Sequence, residues 1–281
     1  MKITASLTAA AVVATTMLAA CSGNGGETAG SEEISNFEIR EQLKSASKSY
    51  KLVYASGDTA YVTLSATVQW PVEFGGSDVI ALRDTIINAL GTKSPYNIDQ
   101  AMSAYVNNNE LIEAGPQVTV SPVDSISPMT DETNSYDIET TIKVTELNEQ
   151  TVTYQIYNYS FTGGAHPNYA YIPFTYDLSA GKVLTFDMLF KPGSDDALMT
   201  LIQEALANQL GVRDPAKLGE AGVFTDQLFV SRNVFVSDGQ IVFHYNPYEI
   251  GPYALGQMDV ALAPFVIENL LTSEAKSLLL N

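Results

Sequence analysis

The chain has 281 residues, with 14 Lys+Arg against 32 Asp+Glu, two histidines and one cysteine. A formal charge of -18 excludes a surface built for nucleic-acid phosphates, which needs clustered Lys and Arg. The 46% apolar share excludes a wholly disordered chain, and one cysteine excludes both an internal disulfide framework and a cysteine-based zinc site.

At the N-terminus, Lys2 precedes an uncharged stretch over residues 3–20 rich in Ala, Val, Leu and Thr, the layout of a secretory signal. It closes on Leu18-Ala19-Ala20-Cys21, which resembles the bacterial lipobox. The resemblance implies cleavage before Cys21 and lipidation of its thiol. A transmembrane anchor ending in cysteine is the competing reading, since the stretch could just span a bilayer. Ser22-Gly23-Asn24-Gly25-Gly26 follows in place of a basic stop-transfer cluster, which favours the lipoprotein. The expected divisions are a signal over 1–20, a flexible tether over 21–38, an N-terminal subdomain over 39–147 and a C-terminal domain over 148–281. Loss of the signal removes Lys2 and leaves 13 basic against 32 acidic residues. The expected location is the cell envelope, lipid-anchored and outside the cytosol, with Ser22 compatible with outer-membrane sorting where the source has an outer membrane.

Past residue 39 the chain reads as globular. Val62, Leu64, Ala66 and Val68 alternate within 61–70, a strand signal of period two. Ser77 is placed to cap a helix carrying Val79, Leu82, Ile86 and Leu90, with Gly91 as its stop. Asn97 can cap a second helix with Ile98, Met102 and Tyr105. Pro116, Pro122 and Pro128 confine any strand near Val118 and Val120 to an edge. Strand signals return at 136–144 and 151–161 around an Asn148-Glu149-Gln150 turn, then at 169–178 and 183–186 around Ser179-Ala180-Gly181-Lys182. Asp187 is placed to cap a short turn over 188–190. Ser194 caps a long helix whose apolar stripe runs through Leu198, Ile202, Leu206 and Leu210 to Gly211. Strands at 228–236 and 240–245 flank a Ser237-Asp238-Gly239 hairpin turn, and a strand at 258–262 precedes Pro264 and a last helix. This order predicts an α+β fold with a mainly antiparallel sheet packed against helices, and it allows two similar β-α-β subdomains.

Two loop motifs stand out. The first is Tyr159-Ser160-Phe161-Thr162-Gly163-Gly164-Ala165-His166-Pro167-Asn168, where paired glycines permit a sharp turn and Pro167 holds His166 extended. The second is Phe243-His244-Tyr245-Asn246-Pro247-Tyr248-Glu249-Ile250-Gly251-Pro252-Tyr253. With Tyr154, Tyr157, Tyr159, Tyr169, Tyr171 and Tyr176, its tyrosines make up nine of the chain's 15. Tyrosine suits binding surfaces, and strands also favour it for packing alone. A structural turn is an equally natural role for a lone histidine.

Taken in order, residues 159–168, 176–182, 184–190 and 243–253 resemble the RsiV-like extracytoplasmic domain family, over about 150–265. That family was first described as of unknown function. Its members occur in lysozyme-sensing anti-sigma factors, beside polysaccharide deacetylase domains and as stand-alone lipoproteins. Thr67-Val68-Gln69-Trp70-Pro71 and the following helix are similar to the companion domain that often precedes it. The resemblance implies a binding module for a lysozyme-like protein or a cell-wall glycan. The acidic charge suits a basic partner. The expected ligand-binding residues are His166, Asn168, Tyr248 and Glu249, with Cys21 as the lipid attachment point. No catalytic residue, metal ligand or cofactor is expected. The alternative is a glycan-processing enzyme using His166 with a carboxylate such as Asp177 or Glu249.

Overall fold

A computed structural model describes residues 39–92, 97–123 and 135–280. Cys21 and the expected signal and tether lie outside the described residues. Strands β1 (Ile39–Val53) and β2 (Thr59–Phe74) form a long antiparallel hairpin, with β3 (Thr119–Val123) on the outer side of β1. Strand β4 (Ser135–Leu147) lies parallel to β2. Then β5 (Thr151–Phe161), β6 (Asn168–Asp177) and the two-residue β7 (Lys182–Val183) continue antiparallel. The sheet order is β3-β1-β2-β4-β5-β6-β7. A parallel neighbour needs a crossover. Helices α1 (Ile80–Ala89) and α2 (Ile98–Asn107) lie in that crossover. Their Leu82, Ile86, Ala101 and Met102 pack on Ala66, Val68, Ile142 and Tyr154 of the sheet.

The second layer starts after β7. Helices α3 (Phe186–Leu189) and α4 (Asp195–Gln209) precede β8 (Val234–Ser237), β9 (Gln240–Tyr245) and β10 (Met258–Leu262), which form a small antiparallel sheet in the order β10-β9-β8. Helix α5 (Ser273–Leu279) closes the chain. Ile241, Phe243 and Tyr245 of β9 join Leu198, Ile202 and Leu206 of α4 in one core. The alternate residues Val242 and His244 are also buried. They face the other way, and His244 meets Tyr171 of β6 edge-on. The small sheet is therefore sandwiched between α4 and the outer face of β5–β6. The expected boundary at 147/148 falls in the β4–β5 turn, across which pairing continues. The change from one core to the other comes between Leu178 and Leu184.

Local signals explain most elements. Asn97 accepts from Gln100 N while the Gln100 side chain accepts from Asn97 N, a reciprocal capping box. Asn148 Oδ1 accepts from the amides of Gln150 and Thr151 and sets the β4–β5 turn. Asp238 and Gly239 both take positive φ, 48° and 68°, as a tight hairpin turn requires. Several expectations are corrected. Val79, not Ser77, stands at the start of α1, and Asp78 Oδ1 accepts from Ile80 N. Helix α3 begins at Phe186, which puts Asp187 inside its first turn. Ser194 holds the cap position of α4, but its hydroxyl donates to Lys191 O. The strand expected over 228–236 shrinks to β8, because the Tyr245 hydroxyl donates to Phe229 O and Asn233 N donates to the Ser231 hydroxyl. The residues 183–186 give only the end of β7. Strand β1 carries no element in the sequence reading. No described helix is long and apolar enough to cross a membrane.

The two layers are stitched by hydroxyls. Val236 N donates to Thr175 Oγ1 at 2.8 Å, and Thr153 Oγ1 donates to Val236 O at 2.8 Å. Thr175 and Thr153 hydroxyls bond each other at 2.8 Å. This closed set occupies the open edge of β8, and both threonines are buried. Thr175→Val keeps the shape but strands the Val236 amide. It should destabilise by about 1–3 kcal/mol in urea unfolding. A loss below about 0.5 kcal/mol would show that the hydroxyls do not hold the layers.

Candidate functional site

The β5–β6 hairpin and the segment after β9 bring the two loop motifs together. The pleat sends Tyr157 and Tyr159 of β5 and Tyr169 and Tyr171 of β6 to the outer face, since Tyr157 pairs with Tyr171 and Tyr159 with Tyr169. Their rings form a continuous series. Tyr157 lies 4.8 Å from Tyr171 and 6.2 Å from Tyr159, and Tyr169 lies 5.8 Å from Tyr171. The lower part of this face, at Thr153 and Thr175, is covered by β8, while the four tyrosines above remain half-exposed.

The segment after β9 adds the rest. Asn246 Oδ1 accepts from Tyr171 N at 2.6 Å, and Asn246 Nδ2 donates to Tyr171 O at 3.0 Å. One side-chain amide thus replaces a neighbouring strand on the edge of β6. This fixes Tyr253, whose ring meets Tyr169 edge-on at 5.7 Å and stacks on His166 at 3.9 Å. The Tyr253 hydroxyl donates to Pro167 O at 3.0 Å. Tyr248 lies 5.7 Å from Tyr253, with its hydroxyl 3.5 Å from His166 Nε2. Six tyrosines and one histidine therefore share one surface. Burial first, and neighbouring tyrosines after it, push the Tyr157, Tyr171 and Tyr253 hydroxyls up from their ordinary value. They remain neutral at physiological pH, able to donate and accept hydrogen bonds.

Of the four expected site residues, His166 and Tyr248 meet. Asn168 does not join them. It pairs with Ser160 across the hairpin and lines a cleft on the opposite face of the sheet, one pleat out of step with Tyr169. Glu249 turns back on its own loop, where Oε2 accepts from Asn246 N at 2.8 Å. Asp177 is likewise engaged, accepting at Oδ1 from the amides of Ser179 and Ala180 and from the Ser179 hydroxyl. The second histidine is buried. His244 Nδ1 lies 2.6 Å from Asp259 Oδ1 and Nε2 lies 3.3 Å from Asn246 Oδ1, so both ring nitrogens are taken. The neighbouring Ser231 hydroxyl donates to the His244 carbonyl, not to its ring. No group of three or more His, Cys, Asp or Glu side chains among the described residues could hold a metal ion. The sequence reading missed Tyr253 and the role of Asn246. The tyrosine alternation at 157, 159, 169 and 171 was the available signal for this face.

Tyr248 is 55% exposed and adopts φ 71°, in the left-handed region that costs a side chain about 1–2 kcal/mol. An exposed aromatic held in a strained backbone is unusual for a residue that serves only packing. Tyr248→Gly and Tyr248→Ala both delete the ring and differ only in backbone preference. The glycine variant should be the more stable by about 1 kcal/mol in urea unfolding. Equal stabilities would remove the strain.

Comparison with known proteins divides the chain where its cores divide. Residues 187–263 match a family described as a protein of unknown function, DUF3298, and residues 38–169 match a family described as deacetylase PdaC. The first match begins later than the resemblance in the sequence placed it, and 150–169 fall in the second. Esterase Rv3036c of Mycobacterium tuberculosis is 32% identical over 96 residues, 34% of this chain and 40% of that protein. Immunogenic protein MPT64 of the same species is 28% identical over 115 residues, 40% of this chain and 49% of that protein. The matches thus span less than half the length of these relatives. A DUF3298 family member from Bacteroides fragilis superposes with a TM-score of 0.65 at 20% identity, covering 85% of this chain and 96% of that one. Another from Pseudomonas aeruginosa gives 0.54 at 16% identity, with the same coverage. These structures share the fold.

Proposed function

We propose that this protein is a non-catalytic binding module of the bacterial cell envelope, tethered through Cys21, that takes a glycan on its tyrosine face. The row Tyr159-Tyr157-Tyr171-Tyr169-Tyr253-Tyr248 carries this reading. Flat apolar ring faces suit the C–H faces of sugars, and neutral phenol hydroxyls suit sugar hydroxyls. His166 stacks on Tyr253 and contributes a ring nitrogen at the exposed end. The likeness to the families described as DUF3298 and deacetylase PdaC supports a cell-wall setting. Asp177 and Glu249 serve their own turns, and His244 is locked between Asp259 and Asn246. The glycan-processing alternative therefore has no free acid beside His166 among the residues it named.

A lysozyme-like basic protein is the second reading, favoured by the charge of -18. The two differ in salt dependence, because ring stacking is uncharged while an acidic surface is screened. Calorimetry with soluble peptidoglycan fragments and with lysozymes, at low and high ionic strength, separates them. Glycan binding should survive salt and weaken about two- to tenfold in each of Tyr159→Ala and Tyr248→Ala. Glycan affinity unchanged in both variants would overturn the tyrosine-face assignment. Salt-sensitive binding of lysozyme alone would transfer the function to the second reading.

A further inference from the structure

The face that carries the tyrosines does not end at β5, because the register continues two of its rows across β4, β2 and β1. Tyr171 pairs with Tyr157, Tyr157 with Thr141, Thr141 with Thr67 and Thr67 with Ser45. One pleat along, Tyr169 pairs with Tyr159, Tyr159 with Glu139, Glu139 with Ser65 and Ser65 with Ser47. Directly paired residues point to the same side of a sheet. The six residues beyond the tyrosines thus lie on the tyrosine side. Ser45 and Ser47 are exposed, and Ser65, Thr67, Glu139 and Thr141 are half-exposed. Helices α1 and α2 pack on the reverse side, against Ala66, Val68 and Ile142.

These two rows have a defined chemistry. Five of the six residues carry hydroxyls, and none is apolar or basic. The one carboxylate, Glu139, accepts from the Thr141 hydroxyl at 2.5 Å across the gap between the rows. In the next row outward, Ser49 and Thr63 spend their hydroxyls on each other at 3.1 Å, and Asp137 adds a second carboxylate. Strands lie about 4.8 Å apart and alternate residues about 6.8 Å apart along a strand, so the two rows edge a strip about 19 Å long from β6 to β1. A protein partner would find little apolar area to bury on the hydroxyl half. An extended chain of hexoses suits it. Each sugar is about as long as one strand spacing and carries hydrogen-bonding groups on both edges, to meet one side chain of each row per strand.

We infer that a glycan bound at the tyrosine face continues across β4, β2 and β1, between the row Thr141-Thr67-Ser45 and the row Glu139-Ser65-Ser47. The ligand is then a neutral, extended polysaccharide strand laid perpendicular to the β-strands. The inference rests on the tyrosine-face reading and adds to it a direction, a length and a second set of contacts. Sugar rings stack on the tyrosines at one end of the strip and are held by their edges at the other. Glu139 stands at the transition, where a sugar hydroxyl or amide can donate to it. With no lysine or arginine in either row, an acidic sugar has no partner here.

Calorimetry on the full chain with the trimer and the hexamer of N-acetylglucosamine, both neutral and soluble, tests this. The trimer is long enough for the tyrosine half alone, and the hexamer should bind about tenfold more tightly. Ser65→Ala with Thr67→Val removes both central hydroxyls with little change of shape, and the thermal midpoint should stay native. In this double variant the hexamer should weaken about five- to tenfold, towards the affinity of the trimer, while the trimer is unchanged. Tyr159→Ala should weaken both oligomers. A hexamer bound no more tightly than the trimer, or an advantage left intact in a double variant that melts natively, overturns the extended path and leaves the tyrosine site standing. Equal weakening of both oligomers in the double variant overturns it too. Binding of neither oligomer, or Tyr159→Ala without effect on either, overturns the tyrosine-face reading and the path with it.

Discussion

At the junction of the two sheets, strand edges on β8 and β6 are closed by side chains, and the rest of the architecture depends on them. A strand edge presents amides and carbonyls that cannot be buried without partners. Val236 on β8 is paired by the hydroxyls of Thr153 and Thr175, and Tyr171 on β6 by the amide of Asn246. Each set is local to the junction between the large sheet and the small one. Together they allow the two sheets to pack against each other without a shared ladder. They also fix the height at which the second layer stops, just below the four tyrosines.

The binding surface follows from that stopping point. Were β8 longer, it would cover Tyr157 and Tyr171, and the face would be core. The strand ends at Ser237 and begins only at Val234, so the upper half of the β5–β6 hairpin stays half-exposed. The segment after β9 then bends over the rim, and Tyr253 packs against both Tyr169 and His166. Tyr248 pays for its exposed position with a left-handed backbone. Rigid strands carry four of the rings and two pinned loops carry the others. Such a surface needs little ordering when a ligand arrives, which limits the entropic cost of association.

Legibility varied with how local the cause was. The Asn97 capping box, the Asn148 turn and the Asp238-Gly239 hairpin are set by neighbours in sequence, and each is plain in the residues. Strand β1 was not, because lysines and serines interrupt any apolar alternation, Ile39 and Leu43 are exposed, and only Tyr50 and Leu52 near its end are deeply buried. Its pairing with β2 supplies what its own pattern lacks. The stretch 228–233 failed in the other direction. It is apolar enough to read as strand, yet the hydroxyls of Tyr245 and Ser231 tie up Phe229 O and Asn233 N. Asn168 shows the sharpest limit. It is two residues from His166 in sequence, and the pleat still sends it to the other side of the sheet.

By itself the sequence determined the class of fold, most helix and strand positions, the two loop motifs and the acidic balance. These depend on periodicity, capping and charge, which act over a few residues or over the whole count. Only the tertiary structure decided that His166 and Tyr248 meet, that Asn168 and Glu249 stand apart from them, and that six tyrosines share one surface. Those outcomes depend on strand register and on pairings such as Asn246 with Tyr171, 75 residues apart. No local preference encodes such a contact, because its energy exists only once both edges have been brought together.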